Sequence, residues 1–335
     1  MYRQQTACND PVALTPAMTK VLYLAHAFAP AATPVVLYGE SGTGKTFFAE
    51  CIHQVSQRAG GFHAFSVGMV APQLAADELF GHVQGAYTDA RHVRTGRIAA
   101  AGAGTLLLDD IQNLDLGTQK QLLQLLDRGM YSPVGSDRIA SVACRIMLAM
   151  TDDPDALMQR GLLLKDLRYR FGACSIRIPP LRERRAEIPL LAQRALERCP
   201  AWTMVDGPTR FSDAALEVLS GGEWKGNVRE LEGVIVAAYL MARVAGDEEI
   251  GPECLPDQVC PLLQYHRRGD RSANRMAVEQ ALGRTGGNMK QAAKLLGVSR
   301  NAVHATLMNS GGRTKTWLAC SRNAHGAGRG SSAGR

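Results

Sequence analysis

Short apolar blocks and longer amphipathic stretches alternate along the first two thirds of this 335-residue chain. The apolar runs at residues 35–38, 105–108, 145–149 and 174–178 are too short for helices and read as buried strands. Between them, residues 47–52, 77–79, 118–126 and 188–196 space their apolar positions for helices. Strands separated by helices predict a parallel sheet covered on both faces. Residues 211–242 carry a helical pattern alone, and Pro252, Pro256 and Pro261 mark residues 251–270 as a linker. Residues 271–308 are helical again, broken at Gly286-Gly287-Asn288 and at Gly297. Gly, Ser and Ala dominate the end. The apolar stretch 21–32 is interrupted by His26 and Pro30 and leads directly into the first strand, so it reads as a packed helix rather than a signal peptide.

Composition narrows the picture. Hydrophobic residues make up 46% and charged residues 21%, as in ordinary globular proteins. No apolar run reaches spanning length, and the expectation is a cytoplasmic protein with no membrane contact. The eight cysteines show no C-x-x-C pair and no metal-like spacing, which favours reduced buried thiols. The net charge of +7 is uneven: Arg313, Lys315, Arg322, Arg329 and Arg335 lie in a final segment without acids, and the rest is near balance. That bias favours a polyanion partner near the C-terminus, although the last dozen residues read as a solvated, disordered end.

The first chemical signal is Gly39-Glu40-Ser41-Gly42-Thr43-Gly44-Lys45-Thr46, a complete G-x-x-x-x-G-K-[ST] pattern between a strand and a helix. Its glycines let backbone N–H groups close around phosphate oxygens, and the following helix adds a positive dipole end. Lys45 is placed to reach the β/γ-phosphates of ATP, and the Thr46 hydroxyl to hold Mg²⁺. The second signal is the apolar strand that ends in Asp109-Asp110. Acids at a strand end are often helix caps, but a P-loop upstream favours Asp109 as a Mg²⁺ ligand and Asp110 as the acid that polarises the attacking water.

With these motifs the chain resembles the AAA+ ATPase domain of sigma-54-dependent transcriptional activators. The resemblance rests also on Glu78-Leu79-Phe80-Gly81-His82, Gly85-Ala86-Tyr87-Thr88-Asp89-Ala90 and Asp166-Leu167-Arg168-Tyr169-Arg170. Pro179-Pro180-Leu181-Arg182-Glu183-Arg184 and Trp224-Lys225-Gly226-Asn227-Val228-Arg229-Glu230-Leu231 complete the series. It implies that Gly85, Ala86, Tyr87, Thr88, Asp89 and Ala90 form the loop that touches the sigma factor. Arg170 would be the arginine finger and Arg229 the sensor II arginine; Trp224 beside it reads as lid core. The sensor I residue would be Thr151 or Asp152. The chain departs from the family at Asp89 (Gly there), Asp110 (Glu), Ser66 (Asn) and Leu164 (a second Arg, for which Arg168 or Lys165 are the nearest substitutes). Aspartate at 89 restricts the backbone and adds a charge. The shorter acid predicts slow rather than absent ATP hydrolysis.

Residues 287–303 resemble a Fis-type helix-turn-helix. Gly297 would allow the turn and Ser299 would cap the second helix. Arg300, Asn301 and His304 would face DNA bases, with Lys290 near phosphates.

The expected fold class is α/β: an AAA+ P-loop parallel sheet with helices on both faces, an α-helical lid, and a small all-α helix-turn-helix domain. The expected division is 1–17 a short leading segment, 18–196 the ATPase subdomain, 197–250 the lid, 251–270 the linker, 271–311 the DNA-binding domain and 312–335 the basic tail. Seventeen residues leave no room for a receiver domain ahead of the ATPase, so control is expected from a partner, from expression level or from mixed assembly. The expected partners are upstream activating DNA, the sigma-54 RNA polymerase holoenzyme, and the chain itself or a paralogue in a ring, with a hexamer favoured. Two other readings stay open: a DNA-binding regulator independent of sigma-54, and a weakly hydrolysing partner in a mixed ring.

Overall fold

The computed structural model describes residues 11–87, 90–171, 174–256, 259, 275–295 and 303. By compactness the chain divides into two units, one comprising residues 1–194 and 223–233, the other 195–222 and 234–335.

The first unit begins with α1 (Pro16–Phe28), capped by the Thr15 side chain and ended just before Pro30. β1 (Val35–Tyr38) then leads through the P-loop into α2 (Lys45–Val55), followed by β2 (Phe62–Ser66) and α3 (Pro72–Phe80). A small pair, β3 (Gly81–His82) and β4 (Arg94–Thr95), and the one-turn α4 (Arg97–Ala100) precede β5 (Thr105–Asp109). After α5 (Leu116–Arg128), a second small pair, β6 (Met130–Tyr131) and β7 (Ala140–Ser141), leads into β8 (Arg145–Met150). The short helices α6 (Pro154–Gln159) and α7 (Lys165–Phe171) run into β9 (Ser175–Arg177).

β2, β5, β8, β1 and β9 form a five-stranded sheet in that order, and every pairing is parallel. Period-2 alternation splits each central strand between two cores. Leu106, Leu108, Ile146 and Leu148 pack on one face with α3 and α5 residues such as Leu79 and Leu122. Leu107, Met147, Val35 and Leu37 pack on the other with Met18, Val21 and Ile52 from α1 and α2. All six β8 residues are buried. Arg145 opens that strand nearly fully buried, and its guanidinium donates to the carbonyls of Ala29 (2.7 Å) and Phe28 (2.6 Å), satisfying the end of α1.

The two small pairs are joined at their roots: Val134 N–H donates to Gly81 O (2.8 Å) and Val83 N–H to Val134 O (3.2 Å). Neither pair is legible in the sequence, because two residues per strand carry no period. β2 also escapes notice: only Phe65 of its five residues is buried, as suits an edge strand.

The second unit holds the end of α8 (Ile188–Thr203), α9 (Asp213–Gly221) capped by Ser212, and most of α10 (Asn227–Ala245). Tyr239 of α10 is buried and donates its hydroxyl to Val205 O at 2.7 Å. Further along lie α11 (Arg275–Arg284) and α12 (Met289–Leu295). The turn between them falls on Gly286 (φ 59°) and Gly287 (φ 86°), and the Asn288 carboxamide oxygen accepts from Lys290 N and Gln291 N. Val278, Ala281, Ala292 and Ala293 are buried, and Lys290 is exposed. No helix among the described residues is long and apolar enough to cross a membrane. The cysteines at 51, 144, 174, 199 and 254 are free thiols.

Candidate nucleotide site

The P-loop leaves the C-terminal end of β1 and closes over the start of α2. Gly39 (φ +149°) and Gly42 (φ +76°) admit no side chain: a Cβ would lie 2.4 Å from Ile178 O at the first and 2.2 Å from Gly226 O at the second. Gly44 (φ 101°) is the N-cap of α2 without a side-chain cap, so the N–H groups of the first turn are left for an anion. Thr43 folds its hydroxyl onto Glu40 O (2.8 Å) and is buried, while Ser41 and Thr46 are exposed. Lys45 is 7% exposed; its ammonium curls into the loop and donates to Gly39 O (2.9 Å) and Glu40 O (3.2 Å). Burial pushes the Lys45 pKa down, and Asp109 and Asp110 partly offset this. A phosphate chain would supply the negative charge this buried cation lacks, so these residues fit a nucleoside triphosphate.

Polar contacts from distant segments hold the loop's shape. Arg182 makes a bidentate pair with Glu40 (2.7 and 2.6 Å), and that bond chiefly holds the Glu40 carboxyl below its usual range. Asn227, fully buried at φ 56°, donates to Ser41 O (3.0 Å) and accepts from Leu181 N–H (2.7 Å). Val228 N–H donates to Gly42 O (2.9 Å), and Arg229 reaches the Ser41 hydroxyl at 3.0 Å. By compactness segment 223–233 clusters with the P-loop unit, and Asn227, Val228 and Arg229 tie it to the loop. Trp224, buried at φ 48°, belongs to the same segment. Beneath the loop the buried Arg184 donates to Thr43 O (2.8 Å) and pairs with Glu187 (3.5 Å). Glu187 in turn accepts from the N–H groups of Leu14 and Thr15 and from the Thr15 hydroxyl, tying the loop to the start of α1.

The acids stand at the end of β5, opposite the loop. Asp110 N–H donates to Asp109 Oδ1 (3.0 Å), and Asp110 adopts φ 60°, a left-handed turn rare outside glycine. Ser66, at the end of the neighbouring β2, faces Asp110 Oδ2 at 3.5 Å. Gln112 places its amide nitrogen 3.1 Å from Asp110 Oδ1 and 3.3 Å from Thr151 Oγ1. Of the two sensor I alternatives, Thr151 therefore joins the acids, whereas Asp152 turns to Arg160 (2.7 Å). The carboxylate of Asp109 and the hydroxyl of Thr46 are hard oxygen donors of the kind Mg²⁺ prefers.

Desolvation, with Asp110 repulsion second, raises the Asp109 pKa above the ordinary carboxylate range, and Lys45 counteracts only part of this. A raised carboxyl pKa means the folded state holds its proton more tightly than the unfolded chain. The stability it contributes is therefore full at low pH and is lost as pH rises through the window between the ordinary and the raised value. At neutral pH the ionised Asp109 is a net burden on the nucleotide-free protein. Asp109→Asn is expected to raise the nucleotide-free Tm in a thermal melt at pH 7. An unchanged or lower Tm contradicts that assignment of strain.

The remaining predicted residues lie elsewhere. Arg170 is held on α5, donating to Leu126 O (2.7 Å) and pairing with Asp127 (2.7 Å). Arg168 is bound by Asp155 in two bonds (2.8 and 3.0 Å), Lys165 lies over the Tyr169 ring, and Leu164 N–H donates to Gln119 (2.9 Å). Gly85, at φ 83°, donates to Ala90 O (2.8 Å), and Ala90 N–H to Tyr87 O (2.9 Å), so the loop closes on itself; Ala86 is half-buried beside Gly135. Tyr87 is exposed and stacks edge-on to His82, whose ring bonds Asp77 and His92 O. Thr88, Asp89, Ser299, Arg300, Asn301 and His304 lie outside the described residues. Gln112 carries no motif signal, and the tasks of Arg182, Arg184 and Asn227, which lie inside motifs, are set by contacts between distant segments.

Residues 12–177 match the Sigma-54 interaction domain, residues 182–270 an AAA+ ATPase lid domain, and residues 271–305 the Fis family of bacterial regulatory proteins. The chain is 32% identical over 324 residues to the DNA-binding transcriptional regulator NtrC of Azospirillum brasilense, covering 86% of this chain and 67% of that one. It is 34% identical over 303 residues to a Nif-specific regulatory protein of Azotobacter vinelandii, covering 88% and 58%. The crystal structure of NtrX from Brucella abortus in complex with ADP superposes with a TM-score of 0.68 at 25% identity, covering 89% of this chain and 69% of that one. The chain spans about half to two thirds of the length of the curated relatives it matches. A P-loop backed by Arg182, Asn227 and Arg229, a paired-acid strand end, and three family matches in this order place the chain in the family of sigma-54-dependent transcriptional activators.

Proposed function

We propose that this chain is a cytoplasmic, ATP-dependent transcriptional regulator that binds upstream DNA and remodels the sigma-54 RNA polymerase holoenzyme. The observation that carries the reading is the convergence, in one compact unit, of Lys45, the acids Asp109 and Asp110, Thr151 and Arg229. Residues 39–46 would bind the phosphates of ATP, with Arg229 closing over them from beside Ser41. Thr46 and Asp109 would hold Mg²⁺, which when bound neutralises phosphate charge. Asp110 would take the proton of the attacking water while Lys45 holds the phosphates in line.

Arg170 has no path to its own P-loop in the contacts it makes, which supports a role toward a neighbouring subunit of a ring, with a hexamer the favoured size. There it would stabilise the transferred charge. Hydrolysis would shift the loop 85–90, which carries the exposed Tyr87, against the sigma factor. The helical hairpin of α11 and α12, with Lys290 exposed on it, would anchor the assembly on DNA through Arg300, Asn301 and His304.

Two features favour other outcomes. Asp89, where the family has glycine, suits a regulator that does not engage sigma-54. Asp110, Ser66 and Leu164 suit a slow partner in a mixed ring. Open-complex formation on a supercoiled sigma-54 promoter, with purified protein and holoenzyme, decides among them. ATP-dependent opening by the wild type supports the proposal. No opening by the wild type but opening by Asp89→Gly favours the sigma-54-independent reading. Opening only after an active paralogue is added favours the mixed ring.

A further inference from the structure

Gln112 is the side chain that ties the water-polarising acid to the tip of the adjacent strand. Its amide nitrogen carries two hydrogens and faces two acceptors, Asp110 Oδ1 at 3.1 Å and Thr151 Oγ1 at 3.3 Å. The orientation of the amide is chemically determined, because turning it would set a carbonyl oxygen against a carboxylate. Thr151 immediately follows β8 and Asp110 immediately follows β5, and these strands pair in register, so one carboxamide spans the two strand ends. With the Thr151 oxygen accepting from the amide, its hydroxyl hydrogen is released to point elsewhere.

The far end of the same amide is telling. Gln112 Oε1 is buried and has no partner among the described residues. A buried acceptor left unpaired costs free energy, so the carboxamide is a poor choice for stability at this position. Its geometry serves Asp110 instead. That acid is one methylene shorter than glutamate and sits on a strained left-handed backbone, so a fixed donor has to set where its oxygens point. Ser66, 3.5 Å away, is too distant to do so firmly.

We infer that Gln112 is a positioning residue for hydrolysis. It holds Asp110 at the angle required to accept a proton from water and makes that angle depend on Thr151. The inference rests on the hydrolytic reading of the site. Its test is steady-state ATPase kinetics on the full-length protein, with nucleotide affinity measured separately by titration with a fluorescent ATP analogue.

Gln112→Ala is expected to lower kcat about 10- to 100-fold with KM and analogue affinity within about twofold of wild type. Its Tm should be equal to or above wild type, since a buried unpaired oxygen is removed; a merely structural residue would lower Tm and spare kcat. Thr151→Val alone should lower kcat about tenfold, yet add less than about threefold on the Gln112→Ala background, because both changes break one link. Thr151→Ser keeps the hydroxyl and should retain most of the activity. Wild-type kcat in Gln112→Ala, or losses that multiply in the double variant, overturns the inference and leaves the hydrolytic reading intact. A wild type that binds the analogue but never hydrolyses ATP overturns both.

Discussion

Lys45→Ala removes nucleotide binding: affinity for ATP falls by about two orders of magnitude or more, and ATP turnover disappears with it. The ammonium is buried inside the loop with two backbone carbonyls as its nearest partners. Burial already disfavours its charge, and the acids across the site restore only part of what desolvation removes. A charge in that condition gains most from an anionic ligand. Truncating one partner of a buried charge-assisted contact typically costs 2–5 kcal/mol, about 30- to several-thousand-fold in affinity. Part of that loss is the phosphate left without its cation.

The measurement is a thermal melt with and without ATP. A ligand present at a hundred times its Kd stabilises the wild type by about 2.7 kcal/mol, a shift of several degrees. At a hundredfold weaker affinity the same concentration contributes only about 0.4 kcal/mol, so the variant should keep a small fraction of the shift at most. It should still fold, because both hydrogen-bond acceptors of Lys45 are loop carbonyls open to water once the side chain is gone. An unaltered ligand-induced shift in Lys45→Ala would mean that the nucleotide, if one binds at all, sits elsewhere.

How much of this was legible in the sequence follows from how each feature is encoded. The central strands β1, β5 and β8 are legible because burial on both faces demands apolar runs of β-forming residues, while the edge strand β9 shows itself through Ile176 and Ile178, both buried. The P-loop was legible because glycine at 39 and 42 is enforced by backbone atoms 2.4 and 2.2 Å from where a Cβ would stand. Edge strand β2 and the two short pairs were silent, since neither half-buried polar residues nor two-residue strands leave a pattern.

The support of the site was silent for a different reason. Glu40 meets Arg182 across 142 residues, and Asn227 meets Ser41 across 186. Contacts at that separation are decided by topology and carry no local signature. Gln112 is the extreme case, a single polar residue whose task appears only when two strand ends lie side by side. The same logic limits the substitutes proposed for the missing arginine at Leu164. Arg168 is already engaged by Asp155, whose hydrogen bonds hold the guanidinium charge in place and raise the Arg168 pKa, and Lys165 rests on an aromatic ring.

Asp110→Asn separates binding from chemistry. The substitution preserves shape and leaves Lys45, Thr46 and Asp109 in place, so ATP affinity should stay within a few-fold of wild type. The asparagine amide cannot accept a proton from water, and loss of a positioned general base typically lowers kcat by about 10²- to 10⁴-fold. The change also removes one of the two like charges at the end of β5, which is the second cause of the raised Asp109 pKa. Asp109 then ionises more readily, so metal-dependent nucleotide affinity should hold or improve slightly. The expected phenotype is a protein that binds ATP, assembles, and stalls. Single-turnover hydrolysis beside an analogue titration reads both numbers. A variant with wild-type kcat would show that the proton leaves by another route and that Asp110 serves the left-handed turn it occupies; a variant that loses both binding and turnover would show that the acid organises the phosphate site instead. Asp110→Glu tests the same point from the other side. It restores the longer family residue, but glutamate must adopt the same φ of 60° and shed the Gln112 bond at its present length. If reach limits the native rate, this variant turns over faster than wild type; if Gln112 and Asp110 are matched, it turns over more slowly.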